Sequence, residues 1–197
     1  QENNPGVIIA IVEATRYNAE GPVFEVKEGG VVQSKIEDFF LKKGIKLMDK
    51  GTTSKLTKRD VLLATIKDDT KAVAALGARF EADVVVTGRA SAKYGSTIKV
   101  SGFDMFKYSS SLTLRAVRTD SAEVLAVKSY GPTTSNTLQR AGGEDKALSK
   151  LADEAAPKIL AAVVEGWRKQ VNVSRTLQLS ISGMSYKAWK VFKTETE

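Results

Sequence analysis

Apolar residues recur along this chain with two different periods. The run "VIIAIVEAT" (7–15) is continuous and rich in β-branched residues, which predicts a strand buried on both faces and central in its sheet. "RYNAEGPVFEVKEGG" carries Gly-Pro punctuation and predicts a loop or an excursion. From Val32 the period lengthens. Val32, Ile36, Phe39 and Phe40 recur at helical spacing, and Lys42, Lys43 and Gly44 form a helix stop. "IKLMDK" resumes as a strand, so the opening unit is strand, helix, strand.

"TKRDVLLATIKDD" and "DTKAVAALGARFE" predict two further helices, the first capped by its threonine and the second by Asp69 or Thr70. In "ADVVVTGRASAKY", Val84, Val85 and Val86 predict a buried strand closed by Gly88. The stretch 95–110 alternates only weakly. "SLTLRAVRTDSAEVLAVKSY" (111–130) then predicts a hairpin, with Leu112, Leu114 and Ala116 on one face, Thr113 and Arg115 on the other, and "TDSAE" as the turn. "GPTTSNTLQRAGGED" reads as an exposed polar loop, 131–143. From Glu144 an apolar stripe through Leu148, Leu151, Ala155, Ile159, Val163 and Trp167 predicts one long helix bent at Pro157, with Glu144 and Asp145 at its positive end. The tail 171–197 predicts a strand and a helix of a second small domain or appendage, after a first domain spanning 1–170.

A chain of 197 residues, 42% hydrophobic, can bury one substantial core. It has no cysteine and no histidine, which removes thiolate and imidazole chemistry and the usual zinc, copper and haem ligands, so no cofactor is implied. Disulfides are excluded for the same reason. The start at Gln1 predicts that an upstream segment has been removed, which favours export. No run approaches the ~20 apolar residues of a membrane span. A net charge of +7 suits an anionic partner, but bases and acids interleave, as in "QSKIEDFFLKKG", which predicts a solvated surface.

The chemical motifs are thin. "STIK" (96–99) has Ser-x-x-Lys spacing, yet alternation along a strand puts Ser96 and Lys99 on opposite faces. Asp68 and Asp69 read as helix caps before a cation site. "AGGEDK" lacks the Gly-Lys-Ser/Thr ending of a phosphate loop and sets two acids where phosphates would sit. "FDMFKYSSS" mixes aromatics with lysine, as a nucleic-acid platform does, but reads first as core or as a protein-binding patch.

The order of elements, with "GARFEADVVVTGRA" and "LTLRAVRTDSAEVLAVKS", resembles a group of bacterial envelope proteins: the curli secretion-channel family, the TolB amino-terminal domain, the flagellar assembly protein T family and the lipoprotein activators of penicillin-binding proteins. The resemblance covers 7–170. It is carried by Ala82, Asp83, Val84 to Val86 and Gly88, and by Arg118 to Val124, where "RTDSAEV" replaces the usual Thr-Gly-Glu turn. It implies an α/β (α+β) fold, a mixed sheet with helices packed on it, similar to anticodon-binding domains. It also implies a non-enzymatic, periplasmic or outer-membrane-associated module of a secretion, flagellar or cell-wall machine. Envelope protein partners and possible self-association follow, with nucleic acid as the alternative ligand. The partner-facing residues expected are Phe103, Phe106, Tyr108, Thr133, Thr134, Asn136 and Arg140.

Overall fold

The structure is a computed structural model that describes residues 4–19, 21–25, 29–48, 60, 63–65 and 67–173. Its frame is a five-stranded mixed sheet in the order β2-β1-β3-β4-β5. The strands are β1 (Val7–Asn18), β2 (Gly21–Glu25), β3 (Val84–Val100), β4 (Phe103–Arg118) and β5 (Val124–Thr137). The helices are α1 (Val31–Lys42), α2 (Thr70–Arg79) and α3 (Gly143–Val173). β1 and β3 run parallel; the other pairs are antiparallel, so β3, β4 and β5 form a meander. The protein is therefore α+β. Gln1–Trp167 makes one compact unit and Arg168–Glu197 another. The strand and helix expected in the tail lie at 174–197, outside the described residues.

Alternation along the strands sorts side chains onto two covered faces. Val7, Ile9 and Ile11, Val84, Val86, Ala90 and Ala92, and Tyr108, Leu112, Leu114 and Ala116 all point to one face. There α1 lays down Val32, Ile36 and Phe40, while α3 lays down Leu148, Leu151, Ala155, Ile159 and Val163. The opposite face carries Ile8, Ala10, Val12, Val85 and Val117, and packs against Val73 and Ala74 of α2 and against Phe80. β1 is thus buried on both sides, as its unbroken apolar run requires.

Several expectations need correction. Gly88 does not close its strand; β3 continues to Val100. Its missing side chain has a packing cause: a Cβ there would lie 3.2 Å from the Thr113 carbonyl oxygen and 3.3 Å from Ile11. Residues 95–110 are the far half of a long β3–β4 hairpin. The excursion after β1 contains β2, paired antiparallel to it. Among the described residues of "IKLMDK" (45–48), only Leu47 pairs, through one parallel bridge to Val7. The polar loop is mostly strand, since β5 runs to Thr137 with a register slip between Ser110 and Leu112 that accommodates Gly131 and Pro132. The long helix passes through Pro157, which sits on its exposed side. Asp69 caps α2 by accepting from the Ala72 N–H at 3.0 Å, while Asp68 pairs instead with Arg115 at 3.2 Å. The first of the two helices expected between 57 and 81 falls largely outside the described residues.

α1 begins at Gly30 with no capping side chain of its own. Its cap comes from β1. The Glu13 carboxylate accepts from the N–H groups of Val31 at 3.1 Å and Val32 at 2.6 Å. Gly30 leaves the room, because a Cβ there would lie 2.5 Å from that carboxylate. Burial raises the Glu13 pKa above its ordinary 4.5, partly offset by these backbone donors. A raised folded pKa means that the native state holds the proton more tightly than the unfolded chain. Stability contributed by Glu13 is therefore greatest at acid pH and falls as pH rises from about 4.5 through the raised value, then levels. We expect Glu13→Gln, which keeps one acceptor but carries no charge, to abolish this part of the pH dependence. Urea unfolding of both proteins across pH 4–8 measures it; parallel curves would refute the role given to Glu13.

Candidate functional site

Among the described residues, the helices cover only part of the sheet. Buried positions of β3 end at Ala92, and from Gly95 to Val100 every residue is exposed. With the start of β4, this segment forms a two-stranded ribbon that overhangs the core. Its turn, Ser101-Gly102, has both φ values positive, 49° and 85°, as a tight hairpin turn of two residues requires.

A one-residue register shift at Gly95 resets the alternation, and cross-strand pairing fixes what each face of the ribbon carries. On the face away from α3, Val100 pairs with Phe103, Ile98 with Met105 and Ser96 with Lys107, followed by Lys93 with Ser109. On the α3 side, Lys99 pairs with Asp104 and Thr97 with Phe106. Ser96 and Lys99 of "STIK" thus lie on opposite faces. Phe103 is 68% exposed, Val100 45% and Ile98 38%.

The residues expected to face a partner divide between the two faces. Phe103, Thr134 and Asn136 share the open side, with Thr134 opposite Ser109 and Asn136 opposite Lys107; all three are exposed. Phe106, Tyr108, Thr133 and Arg140 lie on the α3 side. Tyr108 must be corrected, for it is fully buried. Its hydroxyl donates to the Arg140 carbonyl at 2.7 Å, and its ring fills the space left by Gly143, where a Cβ would lie 2.1 Å from the ring. Half-buried Phe106 stacks with Tyr94 at 6.5 Å between centroids, and the Arg140 guanidinium sits 4.8 Å over the Tyr94 ring. Thr133 is half-buried and reaches Glu154 of α3 at 3.4 Å. Tyr108 and Thr133 therefore fasten α3 to the meander, while Phe106 and Arg140 pack around the Tyr94 ring.

Toward α2, the open face becomes a polar field of Ser91, Ser111, Thr113 and Ser129, with Ser91 and Ser111 hydroxyls 3.1 Å apart. Behind it lies a cavity of about 110 Å³ whose lining includes Thr65, Thr87, Arg89, Thr113 and Arg115. Its cations are engaged: Arg89 donates to the Thr65 carbonyl at 2.9 Å and Arg115 to the Thr70 hydroxyl at 2.8 Å. Among the described residues no group of three or more acids could hold a metal ion, and no helix is long and apolar enough to cross a membrane. Sequence reasoning on "FDMFKYSSS" found Phe103 and Met105 but not Ile98 and Val100. Val100 and Ile98 alternate with Lys99 and Thr97, a signal that becomes legible only once the bulge at Gly95 is known.

No family model matches the chain, and no curated protein matches it. Among solved structures, it is similar to the hypothetical protein CT253 from Chlamydia trachomatis, at 12% identity and TM-score 0.43, over 81% of this chain and 98% of that one. It is similar also to the lipoprotein GNA1162 from Neisseria meningitidis, at 13% identity and TM-score 0.42, over 84% and 99%. A third is a homolog of the neuraminyllactose-binding hemagglutinin from Helicobacter pylori, at 12% identity and TM-score 0.35, over 100% and 91%. These neighbours are bacterial, one is called a lipoprotein, and none carries an enzyme's name. At that distance they assign no residue a role.

Proposed function

We propose that this protein is a non-enzymatic binding and assembly module of a bacterial cell envelope, acting through protein contacts on the open side of its meander. The observation that carries the reading is the uncovered outer end of β4 and β5. Thr134 and Asn136 stand exposed there beside Lys107 and Ser109, while the edge backbone at this point is engaged, the Thr134 carbonyl accepting from the Lys150 ammonium of α3 at 3.1 Å. The exposed hydroxyls and amide of this face, rather than the backbone edge, offer the contacts a protein partner would read. The envelope setting is supported by the resemblance carried by residues 82–88 and 118–124. The bases on the same face, Lys93 and Lys107, favour nucleic acid as the second reading.

The test is site-specific photocrosslinking in cells producing the natural gene product, with the reactive residue at Thr134 or Asn136 and, as control, at Asp120 in the β4–β5 turn. We expect a crosslinked envelope protein from 134 and 136 and none from 120. Thr134→Glu with Asn136→Glu should abolish it with a melting temperature within about 2 °C of the parent, since both positions are exposed. Crosslinks to RNA or DNA, with binding that falls steeply as salt rises, would replace this reading by the second.

A further inference from the structure

The ribbon tip has a chemistry that a protein edge does not explain. On its open face the rows run, from the turn inward, Val100 with Phe103, Ile98 with Met105, Ser96 with Lys107, then Lys93 with Ser109. Two apolar rows are followed by two rows that each hold one lysine. Successive rows on one face are two residues apart, about 7 Å. The apolar side chains therefore occupy the outer ~7 Å, and ammonium groups begin one row behind them. This spacing matches an interfacial element, whose apolar side enters ~5–10 Å into the boundary between headgroups and acyl chains while Lys or Arg meets the phosphates.

We propose that the ribbon tip is a membrane-docking element for an anionic bilayer surface, with Ile98, Val100, Phe103 and Met105 inserted at the headgroup boundary and Lys93 and Lys107 at the lipid phosphates. Charge complementarity selects this occupant over a second copy of the chain. The ridge is framed by Lys93, Lys99 and Lys107, its near acid, Asp104, pairs across the strand with Lys99, and the whole chain carries +7, so two tips brought together face like charge. The same geometry limits the depth. The other face of the tip carries Lys99 and Asp104. The ladder to β1 ends at Ser91 and the ladder to β5 begins only at Phe106. Among the described residues, the outer backbone edges of the tip thus have no strand partner, and the hydrocarbon core does not tolerate unpaired edges. The tip rests on the bilayer and does not cross it.

The chain has no cysteine, so one introduced thiol is a unique label. An environment-sensitive fluorophore at Phe103→Cys or Ile98→Cys is mixed, in the full chain, with vesicles of phosphatidylcholine alone or with added phosphatidylglycerol. Ser121→Cys, exposed in the β4–β5 turn at the far end of β4, serves as control. We expect a blue shift at 98 and 103 with the anionic vesicles only, and none at 121. In co-sedimentation, unlabelled Phe103→Ser should bind those vesicles about tenfold more weakly, and Lys93→Gln or Lys107→Gln about fivefold each, with the loss growing smaller as salt is raised. The absence of a blue shift on either vesicle would overturn the proposal. So would a shift without lipid that deepens with protein concentration, because the ridge would then be a self-association surface. Neither result bears on crosslinking from Thr134, so the two proposals fail separately.

Discussion

Tyr108→Ala is expected to cost about 3–5 kcal/mol of stability, whereas Phe103→Ala, five residues earlier on the same strand, is expected to change it by less than about 0.5 kcal/mol. The two aromatics look alike in sequence. Tyr108 is fully buried among the residues that join the meander to α3, with its hydroxyl bonded to the Arg140 carbonyl at 2.7 Å. Truncation removes a large apolar group from a packed core, opens a cavity against Gly143 and leaves that carbonyl with only the longer bond from the Gly143 N–H at 3.3 Å. Tyr108→Phe should recover most of the loss, short by about 1 kcal/mol for the missing hydrogen bond. Phe103 is 68% exposed and supports nothing beneath it. Urea unfolding of the three variants measures the difference. Equal losses at 103 and 108 would mean that the ribbon is part of the core.

Gly77→Ala gives the second large effect, and there its sign is the test. Helix propensity alone favours the change by about 1 kcal/mol, because Gly77 lies inside α2. Packing opposes it more strongly. A Cβ at this position would lie 2.2 Å from a Val85 methyl on the sheet beneath and 2.7 Å from the methyl of Thr119 in the β4–β5 turn. Val85 is fully buried and the Thr119 side chain is held by its hydroxyl, which donates to the Ala82 carbonyl, so α2 must lift off Ile8, Ala10 and Val117. We expect a net loss of about 2–3 kcal/mol for alanine, and for Gly77→Val failure to form a soluble, cooperatively folding protein. Ala75→Ser, on the exposed side of α2, should shift the thermal midpoint by no more than about 2 °C. Stabilisation by Gly77→Ala would show that α2 does not lie as close to β3 as described.

Much of this architecture is written in local patterns. The β-branched run at 7–15 announces a strand covered on both sides, the Val32–Phe40 spacing announces α1, and the stripe from Leu148 to Trp167 announces α3. Capping of α2 by Asp69 follows from the same short-range chemistry. Other features depend on partners far away in the chain. Glu13 caps a helix that begins eighteen residues later, and the Gln33 side chain accepts from the buried Ile11 N–H at 3.2 Å, covering part of the β1 edge. Nothing in the spacing of either residue marks that role. Gly88 reads as punctuation but is a space-saving residue beneath Ile11 and Leu114. The strand through 131–137 reads as a polar loop because an exposed edge strand needs no apolar alternation; its ladder to β4 supplies what burial supplies elsewhere. The site suffers most from this dependence. Phe103 and Tyr108, five apart on one unbroken strand, take opposite faces by alternation alone, but which residues of β3 join Phe103 is fixed by the one-residue shift between Tyr94 and Ser96, which turns Ile98 and Val100 to its side.

The sharpest check on that division is the rate of thiol modification at two positions of one hairpin, Ala92→Cys and Phe103→Cys, in the native protein. Ala92 is wholly buried beside α3, and Phe103 is the most exposed large apolar residue of the meander's outer end. We expect position 103 to react like a free peptide thiol. Position 92 should react at least about a thousandfold more slowly, limited by opening of the core. Comparable rates at the two sites would contradict a sheet whose inner half is sealed by α3 while its outer ribbon stands free.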